Sequence, residues 1–119
     1  MAKILIVDDS RTSRKMIRGI LEGAGHQVVG EATDGEDGVA KYSELKPDVV
    51  TMDITMPKLD GIASIKKILE IDSKAKVVMV TAAGQKEKVV EAIKIGAAEY
   101  ITKPYDAEKM VEAINNVLK

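Results

Sequence analysis

Hydrophobic residues along the chain follow two alternating patterns: short continuous runs, and longer segments in which they recur at helical spacing. Residues 4–7, 49–52 and 77–80 are apolar or β-branched throughout, which predicts strands buried on both faces. Residues 27–32 predict a weaker strand, and residues 99–102 a short one. Such strands are typical of a parallel sheet that helices cover on both sides.

A segment with helical spacing follows each predicted strand, which indicates five amphipathic helices. Gly96 is placed to end the fourth helix and Asp106 to cap the fifth. The alternation predicts an α/β fold, a doubly wound, flavodoxin-like, five-stranded parallel sheet in the order 2-1-3-4-5 with five helices. The apolar helix positions are Met16, Ile17, Ile20, Leu21 and Ala24; Val39, Tyr42 and Leu45; Ile62, Ile65, Ile68 and Leu69; Val89, Val90, Ala92 and Ile93; and Met110, Val111, Ile114, Val117 and Leu118.

The composition fits a single domain over residues 1–119. The absence of Cys excludes disulfides and thiol chemistry, and a formal net charge of −1 gives no reason to expect nucleic acid or an anionic membrane as a partner. No stretch suits a bilayer span or a signal peptide, so a cytoplasmic location is expected. His26, the single histidine, follows a glycine and is predicted to be solvated.

Polar side chains with related chemistry follow four of the predicted strands. Asp8 and Asp9 follow the first, Asp53 ends the third, Thr81 ends the fourth, and Lys103 follows the fifth. Each of these residues alone is most simply explained as the start of a turn or a helix cap. Together they are harder to dismiss, because the carboxyl ends of parallel strands meet at one edge of the sheet, where ligands bind.

Three carboxylates at one edge repel one another, and a hard divalent cation such as Mg²⁺ relieves that repulsion. A metal-bound carboxylate flanked by a hydroxyl and an ammonium group suits phosphoryl transfer, because charge develops on the peripheral oxygens of the transferred group. In this chemistry Asp53 is the predicted nucleophile, and the product is an acyl phosphate.

The ordered set of motifs resembles the receiver domains of two-component response regulators, in their stand-alone, CheY-like form. The resemblance covers essentially the whole chain. Each motif alone is weak, but their order along the sequence is specific. The residues that carry the resemblance are Asp8-Asp9, Asp53 with Pro57 and Asp60-Gly61, Thr81-Ala82, and Lys103-Pro104.

The resemblance implies a role for each residue at the acidic edge. Asp53 is the expected phosphoacceptor, which receives a phosphoryl group from a phosphohistidine of a sensor histidine kinase. Asp9 and Asp53 are expected to bind Mg²⁺ directly and Asp8 mostly through water, with the carbonyl of Thr55 as the last protein ligand.

The resemblance also assigns the residues that would read the phosphoryl group. Lys103 is expected to pair with a phosphoryl oxygen, while the Thr81 hydroxyl and the Ala82 amide donate to others. A cis Lys103–Pro104 bond is expected to direct the lysine to the site. Tyr100 is the expected rotameric switch, coupled to Thr81.

The resemblance implies a signalling switch that catalyses only its own phosphorylation and dephosphorylation. Output is expected through another protein, and the 53–56 tetrapeptide favours chemotaxis, with the flagellar motor switch protein and a phosphatase as partners. Ala113 stands where transcriptional relatives place an arginine for dimerisation, so a monomer is expected. A phosphorelay shuttle and a receiver excised from a larger regulator are the alternatives.

Two other classes of protein have similar α/β folds. A haloacid-dehalogenase-type phosphatase also has an Asp nucleophile and Mg²⁺, but the residues after Asp53 include no second acid and no Gly-Thr pair, and no cap domain is evident. A flavin- or nucleotide-binding module needs a first loop rich in Gly, Ser or Thr, where this chain has Asp8-Asp9. Phosphatase turnover on small esters and the absorbance of the purified protein test these alternatives.

Overall fold

A computed structural model describes residues 2–54 and 60–119 and contains a five-stranded parallel sheet in the order β2-β1-β3-β4-β5. The fold predicted from the sequence is therefore confirmed. The strands are β1 (Lys3–Val7), β2 (Gln27–Ala32), β3 (Val49–Asp53), β4 (Val77–Thr81) and β5 (Glu99–Thr102). The helices are α1 (Arg11–Gly23), α2 (Gly35–Leu45), α3 (Gly61–Ile71), α4 (Lys86–Ile95) and α5 (Ala107–Leu118). None of the helices in the described ranges is long and apolar enough to cross a membrane.

The sheet separates two hydrophobic clusters, because successive strand side chains point to opposite faces. Along β3, Val50 and Met52 belong to the cluster covered by α2, α3 and α4, whereas Val49 belongs to the cluster covered by α1 and α5. The continuous apolar runs are thus explained by burial on both sides. β3 and β4 are buried at every position, which fixes the central strands that carry Asp53 and Thr81.

Short polar side chains start four of the helices. Ser10, Asp34, Asp60 and Asp106 each accept a hydrogen bond from the backbone amide three residues later, at 2.8–3.2 Å. Of the motif pair Asp60-Gly61, Asp60 is the N-cap and Gly61 is the first residue of α3. Gly96 ends α4 with a φ of 118°, as predicted.

Side-chain predictions were wrong at several positions. Among the predicted apolar helix positions, Met16, Val90 and Ile93 are 44–51% exposed; on α1 the stripe that meets the sheet runs through Ile17 and Leu21. His26 was predicted to be solvated, but it is partly buried, and its Nδ1 accepts a hydrogen bond from the amide of Ala2 at 3.1 Å. Burial and the nearby N-terminal charge lower the pKa of His26.

Candidate functional site

The loop after β1 carries two of the acids and is held by its own backbone. Asp8 is almost fully buried, whereas Asp9 is exposed. The Asp8 amide donates to the carbonyl of Ala32 on β2 at 3.0 Å, and the Ser10 amide donates to Asp8 Oδ1 at 2.8 Å. The first bond continues the sheet by one residue, and the second fixes one oxygen of the carboxylate.

The third acid ends the neighbouring strand. Val7 of β1 pairs with Met52 of β3, so Asp53 lies beside the loop that follows β1. One carboxylate oxygen from each of Asp8, Asp9 and Asp53 lies within 4.8 Å of the others. The structure thus brings together the three acids that the sequence placed at one edge of the sheet.

The surroundings of Asp8 fit a divalent cation with bound water. Within residues 2–54 and 60–119, its second oxygen, Oδ2, is buried without a hydrogen-bond partner, and such an orphaned acceptor is costly. Burial raises the pKa of Asp8, and the negative charge of Asp9 adds to that effect, while the Ser10 amide and Lys103 oppose it. A cation with coordinated water would satisfy the orphaned oxygen and relieve the repulsion. The predicted ligand Thr55 and the motif residue Pro57 lie outside the described residues.

The ends of β4 and β5 contribute a hydroxyl and an ammonium group. Thr81 is buried, and the Lys103 amide donates to its carbonyl at 2.7 Å, so the two strand ends are tied together. Lys103 is close enough to the acids for its charge to lower the pKa of Asp8. The Lys103–Pro104 peptide bond is cis, as the resemblance implied.

Comparison with known proteins decides the family. The sequence model of the family described as "response regulator receiver domain" matches residues 4–115, nearly the whole chain. The chain belongs to the response regulator receiver family. Its strand order and the acids at the carboxyl edge are explained by that membership.

The relatives of this receiver include stand-alone chemotaxis proteins. It is 51% identical to the chemotaxis protein CheY of Thermotoga maritima over 98% of each chain, and 48% identical to protein CcdB of Bacillus subtilis over 99% of this chain and 98% of that one. A solved CheX–CheY–BeF₃–Mg²⁺ complex from Borrelia burgdorferi contains a chain that is 38% identical, with a TM-score of 0.94 over 98% of this receiver and 89% of that chain. This receiver is therefore of the CheY type, a phosphorylation-activated response regulator switch.

Two predicted phosphoryl-reading groups of the receiver have other partners in this structure. Thr81 Oγ1 lies 3.4 Å from both the carbonyl oxygen of Ile101 and Oγ1 of Thr102, so the hydroxyl leans toward β5 at a distance too long for a strong bond. The Ala82 amide donates to Oε1 of Gln85 at 2.7 Å. Both groups would have to change partners to contact a phosphoryl group on Asp53.

The predicted switch residue Tyr100 points away from the core. Its side chain is 45% exposed on β5. An open cavity of about 250 Å³ lies between this ring and the end of β4, and its lining includes Thr81, Val89 and Tyr100. Thr81 and Tyr100 thus line the same open cavity.

Sequence reasoning missed several polar groups around the acids. Arg14 of α1 donates from Nη1 to the Asp8 carbonyl at 2.8 Å and from Nε to Oε1 of Glu31 at 3.1 Å. The hydroxyl of Tyr105 is buried without a hydrogen-bond partner among the described residues. Burial and the charges of Asp8 and Asp53 raise the pKa of Tyr105 to about 12. Arg14 lies one helical turn after Ser10, which was the available signal for its proximity to the loop.

Proposed function

We propose that this receiver accepts a phosphoryl group on Asp53 from a phosphohistidine of a sensor histidine kinase. The observation that carries the proposal is the cluster of Asp8, Asp9 and Asp53 at the end of two adjacent buried strands, with carboxylate oxygens within 4.8 Å of one another. Three carboxylates this close can bind a divalent cation next to the nucleophilic oxygen of Asp53.

In the proposed reaction an oxygen of Asp53 attacks phosphorus, the P–N bond to the donor histidine breaks, and the imidazole leaves with the bonding electrons. The product is an acyl phosphate on Asp53. Mg²⁺ held by Asp8, Asp9 and Asp53 would supply positive charge to the carboxylate and the phosphoryl oxygens. The Lys103 ammonium would pair with a phosphoryl oxygen, and the Thr81 hydroxyl and Ala82 amide would donate to the others.

We also propose that the chain catalyses only its own phosphorylation and dephosphorylation. The cluster faces an edge of the sheet, and a large exposed fraction of Asp9 leaves room for a protein donor and for water. Hydrolysis of small phosphate esters at a steady state would contradict this and favour a phosphatase.

Intact-mass analysis after incubation with acetyl phosphate and MgCl₂ tests the phosphoacceptor. We expect one added phosphoryl group on the wild type, none on Asp53→Asn, and none on the wild type when a chelator is present. Asp60→Asn is the matched control, because Asp60 caps α3 outside the cluster and asparagine caps equally well. Equal labelling of Asp53→Asn and wild type would contradict the assignment.

For the output, we propose a role in chemotaxis at the flagellar motor switch. The support is the set of relatives named chemotaxis protein CheY. The surface formed by α4 and β5 offers exposed apolar side chains for a protein partner, because Val90, Ile93 and Tyr100 are 44–45% exposed. We propose a phosphatase as a further partner; the complex of a similar receiver with CheX supports binding of a second protein.

A phosphorelay shuttle or a receiver excised from a larger regulator is the second candidate. The support for the larger regulator is a 38% identical match to 28% of a longer protein, the protein-glutamate methylesterase/protein-glutamine glutaminase 3 of Geobacter sulfurreducens. Phosphotransfer profiling against purified histidine kinases separates the two. Rapid transfer from a chemotaxis kinase alone supports the first, and preferred transfer from another kinase supports the second.

A further inference from the structure

We propose that Arg14 is a positioning residue for the metal site, which holds the peptide between Asp8 and Asp9 by clamping it to Glu31 on β2. This inference rests on the proposed metal and phosphoryl site. Arg14 itself touches neither the cation nor the phosphoryl group in this proposal.

The side chain of Arg14 links three elements at the carboxyl edge of the sheet. It starts from the first turn of α1, donates from Nη1 to the Asp8 carbonyl at 2.8 Å, and donates from Nε to Glu31 Oε1 at 3.1 Å. The side chain is only 14% exposed. A guanidinium group suits this arrangement, because its rigid planar fork presents several donors in fixed directions.

Glu31 is itself held in place from two sides. Its other oxygen, Oε2, accepts from Arg18 Nε at 2.7 Å, and its residue pairs with Ile6 in the register of β1 and β2. Although burial opposes ionisation, the hydrogen bonds from Arg18 and Arg14 lower the pKa of Glu31. Glu31 is therefore a fixed, charged anchor for the guanidinium group of Arg14.

The position of the clamp gives it an effect on the metal ligands. The carbonyl that accepts from Arg14 belongs to the peptide that joins Asp8 to Asp9, so rotation of this peptide would move the Asp9 carboxylate. On the opposite side, the Ser10 amide fixes Asp8 Oδ1 at 2.8 Å. Mg²⁺ tolerates little departure from octahedral geometry, so the orientation of these two acids matters for binding.

Charge and geometry predict opposite effects of removing Arg14. Its positive charge lies beside the acidic loop, because Nη1 is 2.8 Å from the Asp8 carbonyl oxygen, so on electrostatic grounds alone its loss would strengthen the binding of a cation. If positioning dominates, its loss weakens binding. The sign of the change therefore distinguishes the two effects.

Isothermal titration of the full chain with MgCl₂ measures that sign. We expect Arg14→Ala to raise the dissociation constant about tenfold, as is usual for residues that orient metal ligands. Arg14→Lys keeps the charge but lacks the fork, and we expect a smaller loss of about threefold. Arg18→Ala is the matched control, because Arg18 binds the same Glu31 and, among the described residues, its other side-chain contact is with Glu22 on α1. It should change the dissociation constant by less than about twofold.

Urea unfolding in the presence of a chelator provides a second readout. Arg14→Ala and Arg18→Ala should lose similar stability without metal, since each loses an ion pair with Glu31. A Mg²⁺ affinity that is unchanged or higher in Arg14→Ala, or equal losses of Mg²⁺ affinity in the two variants, would overturn the positioning role while leaving the proposed function intact. A wild type that binds no Mg²⁺ would overturn the proposed function and this inference with it.

Discussion

Replacement of Gly61 by alanine should disturb the backbone that carries Asp53. Gly61 is the first residue of α3, and its amide donates to the Ile54 carbonyl at 2.8 Å. A Cβ atom at this position would lie 2.7 Å from the Cα of Ile54 and closer still to the Asp53 carbonyl oxygen. Both neighbours are backbone atoms, so neither can turn aside as a flexible side chain would.

The magnitude follows from that overlap. Ordinary contact of a Cβ atom begins at about 3.4 Å, so α3 and the end of β3 would have to separate by at least about 0.7 Å. Overpacking of this kind costs about 1–3 kcal/mol, and the helix propensity of alanine returns at most about 0.5–1 kcal/mol. We expect Gly61→Ala to lower the free energy of unfolding by about 1–2 kcal/mol.

Urea unfolding followed by far-UV circular dichroism measures the change. Gly19→Ala is the matched control, because Gly19 lies within α1 and a Cβ there would meet nothing within 4 Å. It should be neutral or stabilise by up to about 1 kcal/mol. A Gly61→Ala variant within about 0.5 kcal/mol of the wild type would refute the close approach of α3 to the end of β3.

Three further outcomes follow from contacts around the site. Burial and the bond to Asp72 raise the pKa of Tyr42 to about 12, and burial with the nearby acids does the same for Tyr105. Because each pKa is higher in the folded state, the stability that the two protonated tyrosines contribute is complete below about pH 10 and is lost as the pH rises toward 12. The double variant Tyr42→Phe/Tyr105→Phe should therefore lose less stability than the wild type over this pH range in urea unfolding. Gln85→Ala frees the Ala82 amide, so labelling by acetyl phosphate should accelerate about threefold; unchanged rates would show that the Gln85 contact is not an obstacle. Tyr100→Ala should keep phosphorylation but weaken the gain in partner affinity on treatment with beryllofluoride, and an undiminished gain would exclude Tyr100 as the coupling residue.

The fold was predictable because a strand that is buried on both faces of the sheet has a continuous run of apolar residues. A continuous run such as 77–80 has few explanations other than a central parallel strand, and all of β4 is indeed buried. The face that a helix turns toward the sheet is harder to predict from the sequence. Met16 and Ile17 are both apolar, and only the packing of α1 on the sheet decides which of the two is buried.

Those site residues that lie at the carboxyl ends of strands could be predicted from the sequence. Asp8, Asp9 and Asp53 could be brought together from the strand order alone. The contact of Arg14 with Glu31 could not, because it depends on the register of β1 and β2, which shifts between Ile4 and Leu5. Almost every residue has a backbone amide, so the sequence does not indicate which side chain accepts a hydrogen bond from the Ala82 amide.

Amide chemical shifts of the labelled protein, recorded before and after addition of beryllofluoride and MgCl₂, test the central claim most directly. We expect changes at Asp53 and its neighbours that extend through Thr81 to α4 and to Tyr100 on β5, with none in Asp53→Asn. Changes of equal size in Asp53→Asn, or changes confined to the acidic cluster while α4 and β5 stay unaltered, would contradict a phosphorylation-activated switch at this site.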